Sequence, residues 1–169
     1  MDPARKSVTD GYTWAVVETV RRRLEAAGGE VPIVSTSMSP LARRGDVFRV
    51  VIPSGRPRFG DVVVAVAGGR AVTHRVIGRY GKVYLLKGDG SPHADAPASP
   101  ECVLGRATAL VRTDGRVVKL AGVRGRAVGV VCAAISRAEY ALAHLGLPAP
   151  WARKFFYLAQ WAAGIPFSF

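Results

Sequence analysis

Between Tyr12 and Ala27 the apolar residues Trp14, Val17, Val20 and Leu24 return at helical spacing, while Arg21, Arg22, Arg23 and Glu25 fall largely elsewhere. Gly28 and Gly29 end the run. The pattern predicts an amphipathic helix whose apolar stripe faces a protein core or, less commonly, a membrane surface. The period then shortens. Short runs rich in Val, Ile and Leu occupy Val31–Val34, Val47–Ile52, Val62–Ala67, Ala71–Ile77, Val83–Leu86, Val103–Val111 and Val117–Leu120. Gly, Pro and Asp separate them, as expected of strands joined by tight turns. Gly68-Gly69 and Tyr80-Gly81 read as hairpin turns, so the strands are expected to run antiparallel. From about Val128 to Leu145 the chain turns Ala-rich and helical; Pro148 and Pro150 interrupt it, and an aromatic segment runs from Trp151 to Phe169. No internal repeat is visible. The expected fold is mainly β with flanking helices (α+β). An antiparallel β domain over 31–120 lies between an N-terminal amphipathic helix (1–30) and a C-terminal helical and aromatic segment (121–169).

The 169 residues suffice for one domain with a real core. A formal charge of +12 gives the surface an attraction for polyanions, whether nucleic acid, anionic lipid or an acidic peptide, and does not choose among them. Cys102 and Cys132 sit in apolar surroundings without zinc or redox spacing and read as buried packing residues. The charged residues of Met1 to Asp10 are not followed by a long apolar core, so a cleavable signal peptide is not expected. No stretch reaches the roughly 18 uninterrupted apolar residues of a spanning helix. The nearest, Ala127 to Leu147, is broken by Arg137, Glu139 and His144. A cytoplasmic or peripheral membrane location follows as the expectation.

The chemistry concentrates in Ser35-Thr36-Ser37-Met38-Ser39-Pro40, followed by Gly45-Asp46. A Ser just before a Pro-containing bend, at the end of a β-segment, can be held exposed and rigid. Serine chemistry needs that placement, because the hydroxyl is a weak nucleophile until a base reaches it and donors face the attacked carbonyl. By itself such a bend is better explained by hydroxyls satisfying turn backbone. Further blocks follow downstream: Gly60-Asp61-Val62-Val63-Val64, Thr73-His74-Arg75-Val76-Ile77, Lys87-Gly88-Asp89, and Asp95 six residues beyond that acid. In order and spacing this set resembles the signal peptidase I family of serine peptidases, over roughly Val31 to Ala109. The His-Arg-Val-Ile and Lys-Gly-Asp blocks are similar to its endoplasmic-reticulum and archaeal branch.

The resemblance implies Ser37 as nucleophile and His74 as general base, where the bacterial branch uses Lys. The inventory agrees, since no Lys lies between Ser37 and Lys82. A neutral imidazole is apt for accepting the Ser proton. Read from the strand pattern alone, His74 is more readily a packed residue sharing a face with Val72 and Val76. The resemblance places acids at Asp89 and Asp95; Asp95 is favoured as the residue orienting His74 and Asp89 as structural or auxiliary. The backbone N–H of Ser37 and the hydroxyl of Ser35 are the expected oxyanion donors. The chain departs from the family in having Thr36 where Gly is common, and Gly90 and Ser91 where two Asn are usual. His93 and His144 match no family position and read as solvated or packed; no metal and no cofactor are expected.

The implied activity is endoproteolysis of a signal or leader peptide from a precursor. Without the family's usual membrane anchor, the substrate is expected to be a soluble leader. Two other readings stay open. One is a LexA-like self-cleaving regulator, although too few residues precede Ser37 for a DNA-binding domain and that branch uses Lys; a nucleic-acid partner is therefore not favoured. The other is a non-catalytic relative that binds peptide or lipid. The aromatic residues Trp151, Phe155, Phe156, Tyr157, Leu158 and Trp161, with Ile165, Phe167 and Phe169, must pack on the domain, meet a partner or enter a membrane interface.

Overall fold

The computed structural model describes residues 3–52, 55–147 and 152–162. Helix α1 (Pro3–Ala26) leads into β1 (Glu30–Pro32), β2 (Val47–Val51), β3 (Val62–Ala67), β4 (Arg70–Tyr80) and β5 (Val83–Lys87). A single 3-10 turn at Pro100–Cys102 precedes β6 (Val103–Val111) and β7 (Val117–Lys119), and the helices α2 (Gly122–His144) and α3 (Ala152–Ala162) follow. All seven strands join one antiparallel sheet in the order β1-β2-β6-β3-β4-β5, with β7 also pairing β6. This is the mainly-β, helix-flanked architecture expected from the hydrophobic pattern.

The register shifts between Arg49 and Val50, between Val64 and Ala65 and between Val76 and Gly78. Bulges of this kind bend strands and increase twist, which lets a sheet wrap its own core. Strand β3 is buried along its whole length because it lies between β6 and β4 with both faces covered. Val62 and Val64 face a core containing Leu24, Met38, Leu41 and Phe48. Val63, Ala65 and Ala67 face the opposite cluster, with Val76, Tyr84 and Leu86.

Two turns share one device. In Arg43-Arg44-Gly45-Asp46 and in Arg58-Phe59-Gly60-Asp61, the Asp carboxylate accepts the backbone N–H three residues earlier at 2.9 Å. The Asp N–H returns a bond to the same residue's carbonyl, at 3.1 and 3.0 Å. The Gly-Asp pairs that punctuate the sequence are therefore strand-entry turns. Asp46 also accepts from Arg112 Nη1 at 2.9 Å, which ties its turn to the end of β6.

Helix α2 lies against the β4–β5 side of the sheet. A Cβ built on Gly60 would stand 2.6 Å from the Gly129 carbonyl carbon, so the helix backbone reaches the Gly60 turn only because both residues lack side chains. Arg137 donates to the Ile77 carbonyl at 3.1 Å, in space left by Gly78. Cys132 and Ala133 are fully buried on the same helix, and Cys102 is buried near β6; both thiols are free packing residues. Burial pushes the Cys132 thiol up to about 11, opposed by Arg75 and reinforced by Asp89, so it stays protonated and inert.

Several boundaries differ from the pattern-based expectation. Trp14 is exposed although it continues the stripe of Val17, Val20 and Leu24. Two residues earlier, Tyr12 lies beside Gly69 of the β3–β4 hairpin turn and is exposed as well. The second hairpin turns at Gly81-Lys82, one residue later than expected, because Tyr80 still pairs with Val83. Helix α2 starts at Gly122, several residues before Val128; Gly122 and Gly125 mask its periodicity, and Gly125 is needed because a Cβ would stand 2.4 Å from the Leu120 carbonyl oxygen. In α3 Phe156 is buried while Phe155, Tyr157 and Leu158 are exposed. Trp151, the Trp161 side chain, Ile165, Phe167 and Phe169 lie outside the described residues. Among the described residues no helix is long and apolar enough to cross a membrane.

Candidate active site

Ser37 sits on the turn that leaves β1. Ser39 N–H donates to the Thr36 carbonyl at 3.0 Å, and Ala42 N–H to Met38 at 3.0 Å. Ser35 and Thr36 are exposed, whereas Met38, Leu41 and Ala42 are buried in the main core. Burying a side chain the size of Met38 contributes about 1.5–3 kcal/mol. That anchor fixes the turn and leaves the Ser37 hydroxyl at the surface of the core.

His74 comes from β4, opposite Val63 of β3. Its Nε2 lies 3.0 Å from Ser37 Oγ, and its Nδ1 lies 2.5 Å from Asp95 Oδ2. The side chains of His74 and Asp95 are only 12% and 20% exposed. These partners select one tautomer: Nδ1–H donates to Asp95, and bare Nε2 accepts from the Ser37 hydroxyl. Asp95 is itself placed by its backbone, whose N–H donates to the Leu86 carbonyl at 2.8 Å. Ser35 Oγ stands 3.0 Å from Ser37 Oγ and 3.4 Å from Ser37 N, so its hydroxyl flanks the same point.

Asp89, expected beside Asp95 as the second acid of the site in a structural or auxiliary role, does not join this chain of contacts. Both of its oxygens take the Arg75 guanidinium, at 2.7 Å from Nε and 2.5 Å from Nη2. The pair is out of solvent, with side chains 4% and 0% exposed. Burial works against the Arg75 charge, but the Asp89 carboxylate outweighs it and holds the guanidinium more firmly protonated than usual. Arg75 also donates to the Gly60 carbonyl at 2.9 Å. Alternation along β4 sends Arg75 to the face opposite His74, so the pair braces the strand from behind. The acid that reaches His74 is Asp95.

The loop Gly88–Gly90 closes the other side of the nucleophile turn. Gly90 N–H donates to the Ser37 carbonyl at 2.8 Å. A Cβ on Gly88 would stand 2.5 Å from the Ser37 carbonyl oxygen and 3.0 Å from His74 Nε2. Gly88→Ala is therefore expected to push Ser37 and His74 apart and to cut kcat by about 10²-fold or more, since displacement of about 1 Å at a reacting pair costs that much. Steady-state kinetics check this, and turnover within twofold of wild type would refute the close-contact role of Gly88.

Lys87, just before this loop, is fully buried and its Nζ donates to Glu139 Oε2 of α2 at 2.6 Å. A Lys base would need its amine at Ser37, and this one is engaged on the helix side. Sequence reasoning assigned no role to Arg75, Gly88, Gly90 or Glu139. The available signal was an Arg directly before the apolar pair Val76-Ile77 in a strand, since a buried charge requires a partner. His93 is exposed, and His144 is exposed with Nδ1 3.0 Å from the Tyr140 carbonyl oxygen. Among the described residues no group of His, Cys, Asp and Glu could hold a metal ion.

A groove of about 630 Å³ opens in front of the Ser37–His74–Asp95 chain. One wall is β1 and the residues after it, up to Val34; the other is Arg70–His74 of β4. Among the described residues both walls present unpaired edges: β1 pairs with β2 alone, and the β5 partner of β4 begins at Arg75. Val20 and Leu24 of α1 line the groove together with Val64 and Met38. Comparison with known protein families, characterised proteins and solved structures finds no match for this chain.

Proposed function

We propose that the protein is a serine endopeptidase that cleaves a peptide segment held in extended form, with Ser37 as nucleophile, His74 as general base and Asp95 as the acid that orients it. The observation carrying this reading is the unbroken contact chain Ser37 Oγ, His74 Nε2, His74 Nδ1, Asp95 Oδ2, at 3.0 and 2.5 Å, opening on a groove between two strand edges. An extended peptide can add its backbone hydrogen bonds to such edges, with its side chains alternating into the apolar lining.

In the reaction, Ser37 Oγ bonds to the scissile carbonyl carbon as its proton passes to His74 Nε2, and Asp95 stabilises the imidazolium. Ser37 N–H and the Ser35 hydroxyl are the donors this reading assigns to the oxygen that gains charge. His74 then gives its proton to the departing amine as the carbon–nitrogen bond breaks, and water hydrolyses the acyl-enzyme by the reverse proton path. The resemblance to signal peptidase I agrees with this assignment and suggests a signal or leader segment as the substrate.

Digestion of a degenerate peptide library, read by mass spectrometry, tests the proposal. Cleavage should appear with wild type and persist in the volume-matched variant Lys87→Met/Glu139→Leu. Loss of cleavage in a folded Lys87→Met/Glu139→Leu protein, together with retention in His74→Ala, would assign the base to Lys87 instead.

A further inference from the structure

We propose that the groove selects peptides carrying an acidic residue about four positions from the scissile bond, recognised jointly by Arg23 and Arg70. This rests on the peptidase reading above and adds a substrate class to it. The ionisable side chains lining the groove are Arg23, Glu30, Arg70, His74 and Asp95. Asp95 is committed to His74. Glu30 is shared with Arg49, whose Nε lies 3.6 Å from its carboxylate. Arg23 and Arg70 have no acidic partner among the described residues, which leaves the groove with two guanidinium groups not paired to a carboxylate.

Their position sets the register. Arg70, Val72 and His74 project to the same face of β4, because side chains alternate along a strand. Four residues at about 3.3 Å each separate Arg70 from His74 by about 13 Å. An extended peptide laid along this edge advances at the same rise, so the side chain facing Arg70 is about four residues from the carbonyl attacked at Ser37. Arg23 approaches from α1, one residue before buried Leu24 and three after Val20, which holds it at the rim of the same groove. Between the arginines and the catalytic chain the lining is apolar, with Val20, Leu24, Val31, Ile33, Val64 and Val72. The matching substrate is a leader segment with an acid at one end and apolar or small residues toward the cleavage point. Charge-assisted, two-pronged bonds from guanidinium to carboxylate supply the discrimination.

The test uses peptides of one sequence with Asp, Asn or Lys scanned from two to six positions on either side of the cleaved bond. Cleavage by wild type and by Arg23→Glu/Arg70→Glu is compared with binding to Ser37→Ala and to Ser37→Ala/Arg23→Glu/Arg70→Glu by fluorescence anisotropy. At one register about four residues from the bond, Asp should exceed Lys in kcat/KM by about tenfold or more. That ratio should shrink with added salt, reverse in the charge-reversed enzyme and reappear as a binding preference in the Ser37→Ala protein. Cleavage indifferent to charge, or an Asp preference surviving Arg23→Glu/Arg70→Glu, overturns the subsite and leaves the peptidase reading intact. Charge-ordered binding without cleavage by wild type keeps the subsite and overturns the peptidase reading. Neither cleavage nor charge-ordered binding overturns both.

Discussion

Ser37→Ala is expected to lower kcat for an authentic peptide by about 10⁴-fold or more, with the thermal midpoint nearly unchanged. The hydroxyl is partly exposed and among the described residues it bonds to Ser35 and His74, so its removal leaves the turn anchored by Met38, Leu41 and the Gly90 bond to the Ser37 carbonyl. His74→Ala should cost nearly as much, and Ser37→Ala/His74→Ala little more than either alone, because nucleophile and base act as one unit. Asp95→Asn should also lose several powers of ten in kcat: an amide at 2.5 Å from Nδ1 no longer favours the tautomer that leaves Nε2 bare, nor does it stabilise the imidazolium. Single-turnover kinetics with circular dichroism as the control for folding measure the set. Wild-type turnover by either Ser37→Ala or His74→Ala would end the proposed mechanism.

The largest effect on stability is expected at the buried pair behind the site. Asp89→Asn leaves the Arg75 guanidinium charged and sealed from water, as does Asp89→Leu, and breaking a buried pair from one side costs about 3–5 kcal/mol. Replacing both partners with apolar residues, as in Arg75→Met/Asp89→Leu, should recover much of that loss, because no uncompensated charge remains. The Gly60 carbonyl still loses a donor in the double variant, so recovery should be incomplete. Urea unfolding of the singles and the double gives the coupling. A single substitution costing under about 1 kcal/mol would mean that water reaches Arg75 in solution and that the pair is not the brace behind β4.

The conspicuous acids of the motif region differ in what each touches. Asp46 and Asp61 close strand-entry turns, Asp89 neutralises Arg75, and Asp95 reaches the imidazole. All four follow or lie near Gly, Pro or Ala in chain segments of similar polarity. Composition cannot tell them apart.

What the sequence determined by itself is what local physics controls. Alternation and Gly-rich turns located the seven strands to within a few residues, and helical spacing located α1 and α2, because these signals arise between neighbours in the chain. The pairing of Ser37 with His74 was legible only through the order and spacing of motif blocks, not through any property of either residue. Tertiary structure alone decided the rest. Asp95 reaches His74 and Asp89 reaches Arg75 because adjacent residues on β4 project to opposite faces while one loop passes along each; reading that from sequence requires the sheet register. Lys87 finds Glu139 across 52 positions, and Gly60 admits Gly129 only once α2 has docked. Trp14 keeps the helical period yet stays exposed, because periodicity says which face of a helix is apolar and says nothing about what packs against each turn of it.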